Sequence, residues 1–432
     1  MVRTAFLSVE HISGAVGTEG RVSRMKKIAS VVTALVVAGG LAACSGSDGG
    51  SSGSSTITIG SIHPTSGALA GVGGLMDDGA KLAVADINAA GGIKALDGAK
   101  LKLSSGDSQG KAEVGQSEAQ RLIGDGAVAL IGTYQSDVTQ NVAAVAERGR
   151  VPFVIDVAVD DKILDQGYKY SFRVQPDATS MGTSGAESLA KIGEDSGTPI
   201  KSVAYLHIEG AFGDSVFKAF EEEAAKQGIT AVKEITYPAT NFSDATTQVR
   251  EAAASNPDVI VATGYFPDGV LIAKAVSELK PDIRGLYGIA NGAFDDGSFP
   301  QASGASGQEV LSANYHYDAN SKRVGDIRTR FEKKYGKPME TASILSYQAV
   351  EVIAAGLEKS GSDDPEELRE AISGIEIDDP LLAFGGPITF DERGQNKNAT
   401  VIVMQVQDDA VEQVFPKDFA TKDLVFPVGS NG

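Results

Sequence analysis

Cysteine is nearly absent from this chain: a single one, Cys44, in 432 residues. A lone thiol excludes an internal disulfide framework and any cysteine-rich metal site. Histidine is nearly as rare, with four, and His63, His207 and His316 are too scattered for an H-E-x-x-H zinc pair. Positive charge is short too. Lys and Arg number 38 against 57 Asp and Glu, for a formal net charge of −19, a balance that repels nucleic acid and anionic lipid head groups. Long apolar runs are missing. The best, Ile28 to Gly40, falls short of the roughly 20 residues that span a bilayer.

Catalytic signatures are missing as well. No G-x-S-x-G elbow occurs, "GDSQGKA" (106–112) lacks the spacing and the Ser/Thr of a P-loop, and "GVGGLM" (71–76) lacks the third glycine of a dinucleotide fingerprint. Asp156, Asp160 and Asp161 are not at EF-hand spacing and read as a solvated acidic loop. No cofactor or metal is expected.

What is present begins with Met25-Lys26-Lys27, a basic head before the short apolar run, then Leu41-Ala42-Ala43-Cys44. This is the layout of a secretory signal peptide, and "LAAC" resembles the lipobox of bacterial lipoproteins, whose cysteine is acylated and becomes the first mature residue. Residues 1–43 are therefore expected to be removed, with Met25 the true start. Cys44 is expected to carry lipid, and residues 44–55, rich in Gly and Ser, to act as a flexible tether. The removed part holds Arg3, Arg21, Arg24, Lys26 and Lys27 against Glu10 and Glu19, so the remainder is more acidic still.

From Thr56 onward the chain alternates short apolar runs with amphipathic helical patterns. "TITIG", "AKLKLSS", "VALIG" and "VPFVID" read as strands. Between them lie helical stretches, among them Leu75 to Ala90, Ala112 to Ile123 and Val138 to Arg148. A second series starts near Gln175, with strands "SVAYL", "TAVKEITY", "VIVATGY" and "IRGLYG", each preceded by a helical pattern. "DDPEELREAI" carries a helix start, with Asp364 as N-cap and Pro365 at the first helical position. Such alternation predicts an α/β protein with two lobes, each a mostly parallel sheet flanked by helices.

Five segments, "LAVADINAAGGI", "RLIGDGAVALIGTYQSDVT", "GYKYSFRVQPDATSMG", "YPATNFSDATTQV" and "PDVIVATGYFPDGVLIAKA", fall in an order and spacing that resemble the branched-chain amino-acid type periplasmic binding proteins, solute receptors of ABC importers. The likeness covers Thr56 to Val406. It implies a type I periplasmic binding protein fold with three hinge crossovers. Lobe one would be 56–174 plus 313–386, and lobe two 175–312 plus 387–432. It also implies a monomeric, extracytoplasmic receptor that closes on a small solute, partners the permease subunits, and touches the membrane through its lipid only. A sensory receptor of the same fold and, more remotely, a secreted hydrolase using Asp/Glu pairs in the cleft are the competing readings.

The resemblance also nominates site residues. Ser136 matches the serine that binds a ligand carboxylate, beside a helix N-terminus whose dipole favours an anion; the alternative is a serine capping its own helix. Tyr134 and Gln135 share its loop. Asp160, next to Val159, stands where the family has threonine, and an acceptor-only carboxylate there would repel a carboxylate and attract an amine or hydroxyls. Phe212, Tyr265 and Phe266 match aromatics that cover the ligand, with lobe packing as the alternative. Ala290 replaces the glutamate that pairs with the ligand ammonium, which opens the ligand to amides, amines, polyols and aromatic carboxylates. Val72 is expected to face the cleft too.

Overall fold

The computed structural model describes residues 55–428; the expected signal peptide, Cys44 and nearly all of the tether lie outside them. The first sheet is all parallel, in the order β2-β1-β3-β4-β5. Its strands are β1 (Thr56–His63), β2 (Lys100–Asp107), β3 (Ala129–Gly132), β4 (Phe153–Ile155) and β5 (Ser171–Arg173), with α1 (Ala70–Ala89), α2 (Ala112–Gly124) and α3 (Ser136–Gly149) among them. Every residue of β3 and of β4 is buried, as a strand covered on both faces requires, which is why these stretches read as apolar runs and not as alternations.

After a crossing, α4 (Ala178–Asp195) leads into the second sheet. Its elements are β6 (Ser202–Ile208), α5 (Ala211–Lys226), β7 (Thr230–Tyr237), α6 (Thr246–Ala254), β8 (Val259–Gly264), α7 (Phe266–Leu279), β9 (Leu286–Asn291), α8 (Phe299–Ser303) and β10 (Leu311–Asn314). The chain then forms α9 (Lys322–Tyr335), α10 (Thr341–Ser360) and α11 (Pro365–Ser373) before returning as β11 (Ile402–Gln407) and β12 (Ala410–Phe415). The order is β12-β11-β10-β9-β8-β6-β7, parallel except for the antiparallel pairs that β11 makes with β10 and β12. Strand β7 is an edge, and its first half alternates exposed with half-buried positions.

Helix α10 returns to the first sheet, packing on α1 and reaching β3 and β4. The approach is close because Gly79 has no side chain: a Cβ there would sit 2.2 Å from the Ser343 carbonyl oxygen. Helix α11 starts as the sequence implies, with Asp364 accepting from the N–H groups of Glu366 and Glu367.

Three differences from the sequence reading concern boundaries. Helix α1 begins at Ala70, five residues before Leu75, because Gly73 lets its first turns lie against the Pro64 carbonyl. Strand β10 keeps 313 and 314 in the second sheet. The third crossing also ends later than 387: Phe390 packs on Phe172 of β5 at 5.2 Å between ring centroids, and the second sheet is rejoined only at Ile402. The first and third crossings are bonded to each other. Arg173 N–H donates to the Gly394 carbonyl, Asn396 N–H to that of Arg173, and the Gln395 amide to that of Gln175.

Candidate functional site

Parallel strands present their C-terminal ends, and the loops beyond them, to one edge of each sheet, where ligands of open α/β sheets bind. The two edges meet here around a cavity of about 30 Å³. Tyr134, Ser136, Val157, Ala158 and Val159 line it from the first sheet. Phe212, Gly264, Tyr265, Ala290 and Gly292 line it from the second, with Asn314 and Tyr315 at the second crossing. Among the described residues, none that lines it is charged.

Each wall has a local cause. Gln135 is the N-cap of α3 and makes no side-chain cap bond, so the first N–H groups of the helix have no side-chain acceptor. Ser136, the first helical residue, is buried, and its hydroxyl accepts from the Asp160 N–H at 3.3 Å, leaving its own proton free for an acceptor in the cavity. Backbone geometry of the neighbouring loop is set from below by Arg173. This fully buried guanidinium donates from Nη1 to the carbonyls of Val159 and Asp160, both at 2.9 Å, and from Nε to Gln395 at 2.7 Å.

The opposite wall is aromatic. Tyr265 stacks on Phe212 at 5.4 Å between centroids and meets Tyr134 of the first sheet at the same separation. The Tyr265–Tyr134 contact sits across the gap between the sheets. A volume of 30 Å³ holds on the order of one water, so admitting a solute requires the sheets to part or the three rings to move. Ala290, at φ 49° in the left-handed region at the end of β9, brings only a methyl group to this wall.

Of the nominated residues, Ser136, Tyr134, Val159, Phe212, Tyr265 and Ala290 come together around the cavity. Asp160 does not. Its carboxylate accepts from the Gln140 amide at 2.5 Å and from the Lys162 N–H at 3.4 Å, capping a short turn, so it is turned away from any ligand amine. Phe266 packs into the second sheet's core and Val72 against the main core. Gln135 lines a separate, larger space. The sequence reading missed Tyr315, whose hydroxyl donates to the Val157 carbonyl at 3.4 Å, and Asn314, whose amide donates to Asp295 at 3.1 Å. It also missed Arg173; an arginine inside an otherwise apolar strand pattern was the available signal. Burial pushes the Asp295 carboxyl up to about 7, against the lowering effect of its Asn314 and Ser312 donors.

One buried constellation invites a catalytic interpretation. His63 Nε2 lies 2.8 Å from Asp156, and Ser346 is near both. However, the Ser346 hydroxyl donates to Asp156 at 2.7 Å and sits 3.5 Å from the imidazole, and all three side chains are fully buried. A nucleophile needs a path to substrate as well as a base; this serine gives its proton to Asp156 and is closed to solvent.

Comparison with known proteins places the architecture. The model of a family described as periplasmic binding protein matches residues 56–410. The chain belongs to that family. This periplasmic binding protein is 28% identical over 385 residues to Leu/Ile/Val-binding protein homolog 8 of Brucella abortus, covering 86% of this chain and 93% of the relative. Its fold is also that of a leucine-binding protein from Thermotoga maritima (TM-score 0.72, 22% identity, 83% of this chain and 97% of that one). A solute-binding protein of an ABC transporter from R. palustris, in complex with benzoate, is similarly close (TM-score 0.73, 19% identity, 83% and 95%).

Proposed function

We propose that this periplasmic binding protein is the extracytoplasmic receptor of an ABC importer, closing its two sheets on a small carboxylate with an apolar or aromatic body. The observation that carries the reading is the charge-free cavity between the strand ends, with the Ser136 hydroxyl and the uncapped N-terminus of α3 on one side and four rings (Tyr134, Phe212, Tyr265 and Tyr315) around the rest. A helix N-terminus and a hydroxyl suit a carboxylate, and the rings suit an apolar body. A buried ammonium has no partner there, which makes a zwitterion costly. A neighbour in complex with benzoate supports the same class, whereas relatives and neighbours named for leucine, isoleucine or valine share the carboxylate and apolar body but add an ammonium. Lipid on Cys44 and the Gly/Ser tether would keep the receptor at the membrane beside its permease.

A thermal-shift screen followed by calorimetry tests this. Leucine, isoleucine, benzoate and 4-hydroxybenzoate are the first probes. Saturable 1:1 binding of a carboxylate, weakened by Ser136→Ala, supports the reading. Turnover of a probe, or binding insensitive to Ser136→Ala and Tyr265→Ala, overturns it.

A further inference from the structure

Beside the small cavity lies a second space of about 440 Å³, within the range of about 300–1,000 Å³ typical of ligand pockets. Five loops enclose it, all following strand ends. Pro64 to Leu69 comes after β1, Gln109 to Lys111 after β2, and Gln135 to Val138 at the start of α3. From the second sheet come Ala239 to Phe242 after β7 and Tyr265 to Asp268 at the start of α7. Both sheets therefore contribute, and Tyr265 lines both spaces. Its ring, in contact with Tyr134, is the partition between them.

The chemistry of the two spaces differs. The inner one is uncharged and mostly apolar. The outer one is mixed, lined by the exposed Lys111 and Asp137 and the buried Asp268, and with Phe242 held by stacking on Tyr237 at 4.4 Å. Gln135 stands in this wall, and its Oε1 is buried without a donor. A buried amide oxygen left unpaired costs free energy that a ligand N–H would recover.

We propose, resting on the reading of the cleft as a solute site, that the ligand is a carboxylate extended through an amide, such as an N-acylated amino acid, and that the extension lies in the outer chamber. Acylation removes the ammonium for which the inner cavity has no partner. It leaves an amide N–H, the donor that Gln135 Oε1 lacks, and a tail long enough to pass Tyr265. With the carboxylate at Ser136, the acyl end points toward the outer chamber.

Calorimetric titration of the purified protein with leucine, N-acetyl-leucine, benzoate and N-benzoylglycine tests this, read as the affinity ratio of each acylated acid to its short counterpart. The expected result is a ratio of at least ten, falling several-fold in Gln135→Leu and again in Ala239→Phe, which fills the chamber from an exposed position. A ratio at or below one, or a ratio unmoved by both variants, overturns the extended ligand while binding of the short acids keeps the receptor reading intact. Failure of all four probes to bind overturns both.

Discussion

The Nε of Arg173 donates to the Gln395 side-chain carbonyl over 2.7 Å, tying the first crossing between the sheets to the third in a place closed to solvent. The same guanidinium holds the carbonyls of Val159 and Asp160, so the hinge and the cavity wall share one anchor. Removing it leaves the buried Gln395 Oε1 without a donor, a cost of about 1–3 kcal/mol, and takes one of two donors from the Val159 and Asp160 carbonyls, which keep the Ala178 and Ile163 N–H groups. Arg173→Met is expected to lower stability by several kcal/mol in urea unfolding. Gln395→Ala should cost less and should weaken solute binding together with stability. A Gln395→Ala protein with parental midpoint and affinity would remove Arg173 from this role.

Tyr265 touches a ring from its own sheet and one from the other. Aromatic pairs contribute about 0.5–1.5 kcal/mol each beyond area burial. Tyr265→Ala is expected to weaken binding of an aromatic carboxylate at least tenfold while shifting the melting temperature by only a few degrees, because the residue is half-buried. Calorimetry alongside thermal melting separates the two effects.

Asp295 gives a pH signature. Its folded carboxyl is raised from 3.8 to about 7 by burial. A carboxyl raised on folding contributes stability that is fully present below its unfolded value and is lost as pH climbs toward the folded one. Glu340, raised to about 7 by burial and by Asp296, acts in the same sense, whereas His316, lowered to about 4 by burial, acts oppositely. Comparing Asp295→Asn with the parent cancels these neighbours to first order. The variant is expected to gain about 2 kcal/mol relative to the parent between pH 5 and pH 8, read from urea midpoints at both. A difference independent of pH would contradict a buried titrating carboxyl.

Two glycines of α1 are expected to behave in opposite ways. At Gly79 a Cβ would meet the Ser343 carbonyl at 2.2 Å, and at Gly71 nothing lies within 4 Å. Gly79→Val should force α1 and α10 apart at a cost of at least about 3 kcal/mol. Gly71→Ala, in an open helical position, should stabilise by about 0.4–1 kcal/mol. Circular-dichroism melts of the two variants decide it.

Much of this architecture is legible in the sequence because parallel strands covered on both faces leave unbroken apolar runs, as in "VALIG" and "VIVATGY". Loop positions around the cavity follow from the strand ends, and within those loops the family resemblance singles out Ser136, Phe212 and Tyr265, with Tyr134 beside Ser136. Side-chain direction is another matter. Asp160 sits at the expected place, yet Gln140, one helix turn beyond Ser136, claims its carboxylate, and nothing in the local pattern announces that pairing. The end of the third crossing is not legible in the sequence because residues 374–401 have neither helical nor strand periodicity; their position comes from single contacts such as Phe390 on Phe172. The outer chamber is a product of five loops from both sheets, a relation no linear motif encodes.

The cavity's hydroxyl and helix end come from one sheet, and the two rings that face them, Phe212 and Tyr265, from the other, where Tyr265 meets Tyr134 of the first sheet. Selectivity is thereby divided between two separately mutable halves. Changes in the loops after β6 and β8 can recut the shape accepted by the receptor without disturbing the part that recognises charge, so a new diet is reachable in small steps from an old one.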